Sequence, residues 1–229
     1  MKIDALQLYD VIEGTWPPAR VWVQDGWTLR DGAGGGKRVS AATVAVMGDV
    51  PAGDAPPLVM VREGEHALDA MLAQQGYAQV DPVNLYTCPV EQLTDVPIPK
   101  VTAFAIWEPL AIMAEIWAAG GIGPDRIAVM ERAMLKTGIL SRWNEKPAGT
   151  AFAAIHNGVS MVHAVEVLPH QRRQGVAAWM MRKAAFWAAE HGAAQMTVLC
   201  TQENAGANAL YASLGMQRLG GYHYRQKDV

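Results

Sequence analysis

The chain is expected to fold as a mixed α/β (α+β) protein, a mostly antiparallel twisted sheet flanked by helices, with a smaller α/β domain at its N-terminal end. Three observations predict this. From Val101 onward the hydrophobic period switches in the order β, α, α, β, β, β, α, β, α, β. Asn157-Gly158 sits between two strand patterns, the strongest two-residue hairpin signal in the chain. Arg172-Arg173-Gln174-Gly175-Val176-Ala177 follows an apolar run and opens a helical pattern, so a strand turns into a helix there. With 51% of 229 residues hydrophobic, a sizeable core is available.

In the first half, Ala5, Leu8, Tyr9 and Ile12 are at helical spacing, and Trp16-Pro17-Pro18 stops that helix because proline removes a donor. Short strand patterns follow at Val21 to Gln24, Trp27 to Arg30, Val39 to Met47 and Leu58 to Arg62. A helix through Ala67, Leu68, Met71 and Leu72 closes at Gly76, and Tyr77 to Cys88 reads as extended. Prolines 89, 97 and 99 mark a linker, which divides the chain into units at 1–97 and 98–229.

The second unit opens with a strand, Val101 to Trp107, then helices near Leu110 to Ala119 and Pro124 to Met134. Strands follow at Ile139 to Trp143, Thr150 to Ile155 and Val159 to Val167, with turns at Glu145 to Gly149 and Asn157-Gly158. Val176, Trp179, Met180, Ala184 and Trp187 form one helix face that ends by His191-Gly192. The strand Gln195 to Thr201, the helix Asn204 to Leu214 and the strand Met216 to Arg225 complete it. The first half reads as a truncated echo of the second without an arginine-glycine turn.

Charge and motifs narrow the function. Residues 1–100 hold 7 Lys and Arg against 13 Asp and Glu, and residues 101–229 hold 12 against 9. The basic half suits an anionic cofactor, and an acidic half suits cationic substrates. No basic, aromatic-interleaved surface points to nucleic acid, and no apolar run is long enough to cross a bilayer. Cys88 and Cys200 have neither a disulfide framework nor metal spacing, and the N-terminus lacks a secretory layout, so a cytoplasmic protein with no metal is expected. Gly34-Gly35-Gly36-Lys37 is not a P-loop, because Asp31 and Arg38 stand where glycine and Ser or Thr are required; it reads as a flexible hairpin loop. No serine-hydrolase elbow or zinc-protease motif occurs.

Gly175 at a strand-to-helix turn leaves backbone N–H groups uncovered, and the following helix aims its positive dipole end at the same place. That is a seat for a phosphate, served by the amides of Arg173, Gln174, Gly175, Val176 and Ala177 and by the charges of Arg172 and Arg173.

At these residues the second half resembles the GNAT family, the GCN5-related N-acetyltransferases. Arg172, Gly175 and Ala177 fill the family's Q/R-x-x-G-x-G/A signature, and Asn204, Ala207, Leu210, Tyr211 and Gly215 fill its N-x-x-A-x-x-L-Y pattern with a following Gly. Arg173 stands where many members have Gly, and Met216 replaces the usual Phe. The resemblance covers roughly residues 101 to 225, and the first half resembles a degenerate GNAT-like repeat.

The resemblance implies acetyl-CoA as acyl donor and direct transfer to a primary amine of a small molecule, or to a protein N-terminus or lysine. It implies that Val165 and Val167 lend backbone groups to the pantetheine arm, that Asn204 bonds that arm or caps its helix, and that Tyr211 is the general acid. Glu166 is the first choice of general base, ahead of Glu203, His163 and His156, with water as the alternative. Strict strand alternation would set His163 and Glu166 on opposite faces. Trp107, Trp117 and Trp143 are either groove or core residues. The first unit is expected to wall the acceptor groove and, being acidic, to favour a cationic acceptor. A homodimer is common in the family and is not legible here. The other function class is a noncatalytic acyl-CoA-binding sensor or partner-binding module.

Overall fold

The structure, a computed structural model, describes residues 3–227. Met1, Lys2, Asp228 and Val229, the outer ends of the two expected units, lie outside the described residues. The first half runs α1 (Ala5–Thr15), β1 (Arg20–Gln24), β2 (Trp27–Asp31), α2 (Lys37–Ser40), β3 (Thr43–Val44), β4 (Leu58–Arg62), α3 (His66–Gln74) and β5 (Ala78–Pro89). The second runs β6 (Ala103–Ile106), α4 (Ala111–Ala119), α5 (Pro124–Arg132), β7 (Leu135–Trp143), β8 (Lys146–His156), β9 (Val159–Val167), α6 (Val176–Glu190), β10 (Gln195–Thr201), α7 (Ala205–Ser213) and β11 (Gln217–Gln226).

Local chemistry explains most boundaries. Asp4 caps α1 through a reciprocal capping box with Gln7, and the helix ends just before Pro17. Asn157 and Gly158 both adopt left-handed dihedrals, φ 49° and 74°, so the β8–β9 hairpin turns as its Asn-Gly pair predicts. Two details differ from expectation. The β7–β8 turn is Asn144-Glu145, and Lys146 to Gly149 already belong to β8. The alternating run Val39 to Met47 is split into the single helical turn α2 and the two-residue β3, because Val39 and Val44 are drawn into different clusters.

The main sheet has eight strands in the order β4-β11-β5-β10-β9-β8-β7-β6, and a separate three-stranded sheet, β1-β2-β3, lies in the first half. All pairings in the large sheet are antiparallel except β9 with β10. Strand β5 lies between β10 and β11, pairing with both over its length. The 97/98 linker therefore joins segments of one sheet.

Each face of that sheet carries a core. Under α6, Val176, Met180, Ala184 and Ala188 bury one stripe against Ile139, Ala153, Val162 and Val198. On the other face, Trp16, Met113, Trp117 and Val129 pack on Leu140, Phe152 and Ala154. The Val, Leu, Ile, Met and Phe side chains among these contribute about 1.5–3 kcal/mol each on burial.

Candidate active site

The site begins where two strands stop pairing. The parallel ladder of β9 and β10 runs from Val159↔Gln195 to Val162↔Val198 and then ends, although β9 continues to Val167 and β10 to Thr201. The cause is a bulge at Ala164. Its φ is 52°, and its carbonyl leaves the sheet plane to accept from Trp117 Nε1 at 2.8 Å. On the β8 side the register slips at the same place, with His163 opposite Phe152 and Glu166 opposite Thr150.

The bulge changes which side chains share a face. Val162, Val165 and Val167 join the core under α6, while His163, Ala164 and Glu166 turn to the α4 face. The opposite-face expectation for His163 and Glu166 fails, because one extra residue shifts the alternation by one step. Beyond the bulge, Leu168 N donates to Ala148 O at 2.9 Å, so the backbone groups of Glu166 face β8 and those of Val165 and Val167 face the opened side.

A cavity of about 570 Å³ fills the splay. Val165, Cys200, Asn204, Ala207 and Tyr211 line the α6–α7 end, and Trp16, Arg38, His163, Tyr222 and Tyr224 line the other. Tyr211 is 3% exposed and packs against Tyr86 with ring centroids 5.7 Å apart and the planes inclined at 52°, and the Tyr86 hydroxyl donates to Asn208. Burial foremost, then Cys200 and Tyr86, raise its phenol above the ordinary value, so it holds its proton at neutral pH. Burial likewise pushes the Cys200 thiol up to about 11. Asn204 Oδ1 accepts from Ala207 N at 3.0 Å, so Asn204 both caps α7 and borders the cavity.

The arginine-glycine turn follows β9 on the same side. Arg173 and Gly175 adopt φ 65° and 78°, and among the described residues no side chain caps the start of α6. The first N–H groups of that helix, at Val176, Ala177 and Ala178, have no carbonyl one turn back to bond. Arg172, Arg173, Gln174 and Gly175 are exposed, which leaves the seat open. Arg172 Nε donates to Val167 O at 3.2 Å, so that carbonyl serves the turn, and Val167 is not part of the cavity wall. The splayed edge, the open turn and the uncapped helix together fit a long ligand with a phosphate end.

Residues 122–216 match the model of the Acetyltransferase (GNAT) family. This stretch is a GNAT domain. The whole fold is similar to that of a GCN5-related N-acetyltransferase from Kribbella flavida, at 20% identity and TM-score 0.72, covering 98% of this chain and 96% of that one. It is also similar to a functionally unknown conserved protein from Staphylococcus epidermidis, at 10% identity and TM-score 0.68 over 100% and 99% of the two chains. A tandem GNAT protein from the clavulanic acid biosynthesis pathway aligns at 14% identity and TM-score 0.59, over 88% and 77%. No curated protein sequence matches the chain.

The base candidates around the cavity separate clearly. Glu166 does not line it. Its carboxylate lies against the α4–α5 turn, where a Cβ added to Gly120 would stand 2.3 Å from Glu166 Cδ. Half-burial raises its pKa, and Arg172 offsets part of that. His156 closes β8 at the hairpin end away from the cavity, beside Asp10. Glu203 is exposed just before α7.

His163, 4% exposed, is locked in one tautomer. Thr15 Oγ1 spends its single proton on Val11 O at 2.6 Å, so it accepts from His163 Nε2 at 2.9 Å, which leaves Nδ1 to accept from Arg38 Nη1 at 3.1 Å. Burial, then the Arg38 charge, holds its pKa well below 6.5. An unfolded histidine takes a proton that the folded one refuses, so this contribution is complete above about pH 6.5 and is lost as pH falls below it. Stability should therefore drop by up to about 1.4 kcal/mol per pH unit on the acid side, and the drop should be shallower in His163→Gln. Equal slopes in urea melts of the two proteins between about pH 7 and pH 5.5 would contradict the neutral assignment.

Several lining residues were not singled out from sequence. Trp107, Trp117 and Trp143 are absent from the wall, Trp117 being fully buried, and Trp16 takes the groove position instead. Lys37, Arg38, Asp81, Tyr222 and Tyr224 also line the cavity. Their one visible signal was the glycine run before Lys37. That run is not a free loop: a Cβ on Gly35 would stand 2.4 Å from Val129 of α5.

Proposed function

We propose that the protein is an N-acetyltransferase that moves the acetyl group of acetyl-CoA directly to a primary amine in a ternary complex. The observation that carries this is the splay after Val162↔Val198, which sets the free backbone edge of Val165, the Tyr211 phenol and Asn204 around one cavity. The turn Arg172 to Ala177 then holds the pyrophosphate through the Arg173, Gln174, Gly175, Val176 and Ala177 amides and the charge of Arg172 and Arg173. Val165 borders the pantetheine arm, which reaches Asn204, and Val167 leads from it to the turn.

Acetyl-CoA supplies a thioester carbon open to attack by a neutral amine. Val165 N–H points to the side where negative charge develops on the carbonyl oxygen. Tyr211 Oη donates its proton to the leaving sulfur; burial raises its pKa and keeps the phenol protonated until the thiolate forms beside it. Glu166, on the α4 face beside the turn that contributes Ile122 to the cavity, takes the amine proton through water. No metal is assigned a part.

Gly175→Trp tests the seat. At φ 78° a side chain is strained, and an indole would cover the amides, so acetyl-CoA affinity should fall at least about 10-fold by calorimetry. Unchanged affinity would remove the phosphate seat from the assignment. Free-thiol release over a panel of amines tests the transfer; tight acetyl-CoA binding with no release on any amine would turn the reading to a noncatalytic acyl-CoA sensor.

A further inference from the structure

The end of the cavity away from Tyr211 carries a charge pattern that sequence totals conceal. Its wall includes Lys37 and Arg38, from the acidic half of the chain, and Arg126 of α5, against one carboxylate, Asp81. Lys37 Nζ already binds Asp81 at 2.7 Å. Among the described residues no carboxylate pairs with Arg38 or Arg126.

Arg38 is also held still. Its guanidinium carbon lies 5.6 Å from the Trp16 ring centroid, and Nη1 donates to His163, whose other nitrogen is tied to Thr15. Nε is buried and makes no hydrogen bond among the described residues. With Nη1 occupied, the edge left over is Nε–Nη2, in which Nη2 is the open donor for a carboxylate oxygen and Nε lies buried beside it. A preorganised, unpaired cation with an orphaned buried donor is a site completed by an anion brought in with the ligand.

We propose that the acceptor is an amine that also bears a carboxylate, and that Arg38 binds that carboxylate while the amine reaches toward Val165 and Tyr211. The proposal rests on the acetyltransferase reading and narrows its substrate. It reverses the expectation of a cationic acceptor: the first half does wall the groove, but with its few basic residues.

The test pairs amines that differ only in the anion, amino acids against their carboxamides and against the decarboxylated amines, assayed with the full chain by thiol release. The carboxylate member of each pair should be favoured by at least about 10-fold in kcat/KM. Arg38→Gln should bring the members within about 2-fold, mainly through KM, and Arg38→Lys should retain part of the preference, because it keeps the charge and loses the fork. Far-UV circular dichroism and a melt verify that both variants fold. A purely structural role for Arg38 would depress both members of a pair alike. Transfer without carboxylate preference, or a preference that survives Arg38→Gln, overturns the inference and leaves the acetyltransferase reading standing. Bound acetyl-CoA with no amine turned over overturns both.

Discussion

Removal of residues 1–97 is expected to leave no cooperatively folded protein. Among the described residues strand β11 pairs only with β4 and β5, and both lie in the deleted part. Without β5, strand β10 becomes an edge and the core under α6 loses Tyr86, Cys88, Val90 and Leu93. An isolated edge with a stripped apolar face aggregates rather than persists. Opening the cavity adds to the damage, because Trp16 and Arg38 leave with the same segment. Fragment 98–229 should therefore be insoluble or show no sigmoidal thermal transition. Coexpression of 1–97 in trans should restore one. A soluble fragment with a sharp melt would show that β5 is dispensable and that the linker separates independent units.

Tyr211→Phe should lower kcat by about 10²-fold or more while acetyl-CoA affinity stays within about 2-fold. The ring would remain, packed against Tyr86, and only the proton donor would go. Thiol release measures the first quantity and calorimetry the second. Full activity would demote Tyr211 to a packing residue. Glu166→Gln in the same assay should reduce kcat by a smaller factor, since its carboxylate stands outside the cavity wall and acts through water; no reduction would assign the amine proton to water alone.

How far the fold and the site were legible follows from the range of the interactions involved. Helix stops at Pro17, the Asn157-Gly158 turn and the amphipathic face of α6 are properties of a few neighbouring residues, and they appear where the pattern puts them. The Val39 to Met47 run failed because its two valines enter different clusters, which alternation by itself cannot reveal. The phase of β9 failed for a related reason. A bulge is held by a distant partner, here Trp117, and nothing in Val-His-Ala-Val-Glu-Val announces it.

By itself the sequence determined the strand and helix order outside Val39 to Met47, the turn at Arg172 to Ala177 and the resemblance that names an acyl-CoA donor, because each is written in contiguous residues. Only the tertiary structure decided that β5 completes the sheet between β10 and β11, that His163 and Glu166 share a face, and that Arg38 stands unpaired in the wall. Those facts depend on segments distant in sequence being brought into contact, as when Trp117 meets Ala164 across 47 positions and Arg38 meets His163 across 125. Net charge shows the same limit. The first half is acidic in total, yet the part of it that reaches the cavity is basic, since folding selects which charges face a site and which face water.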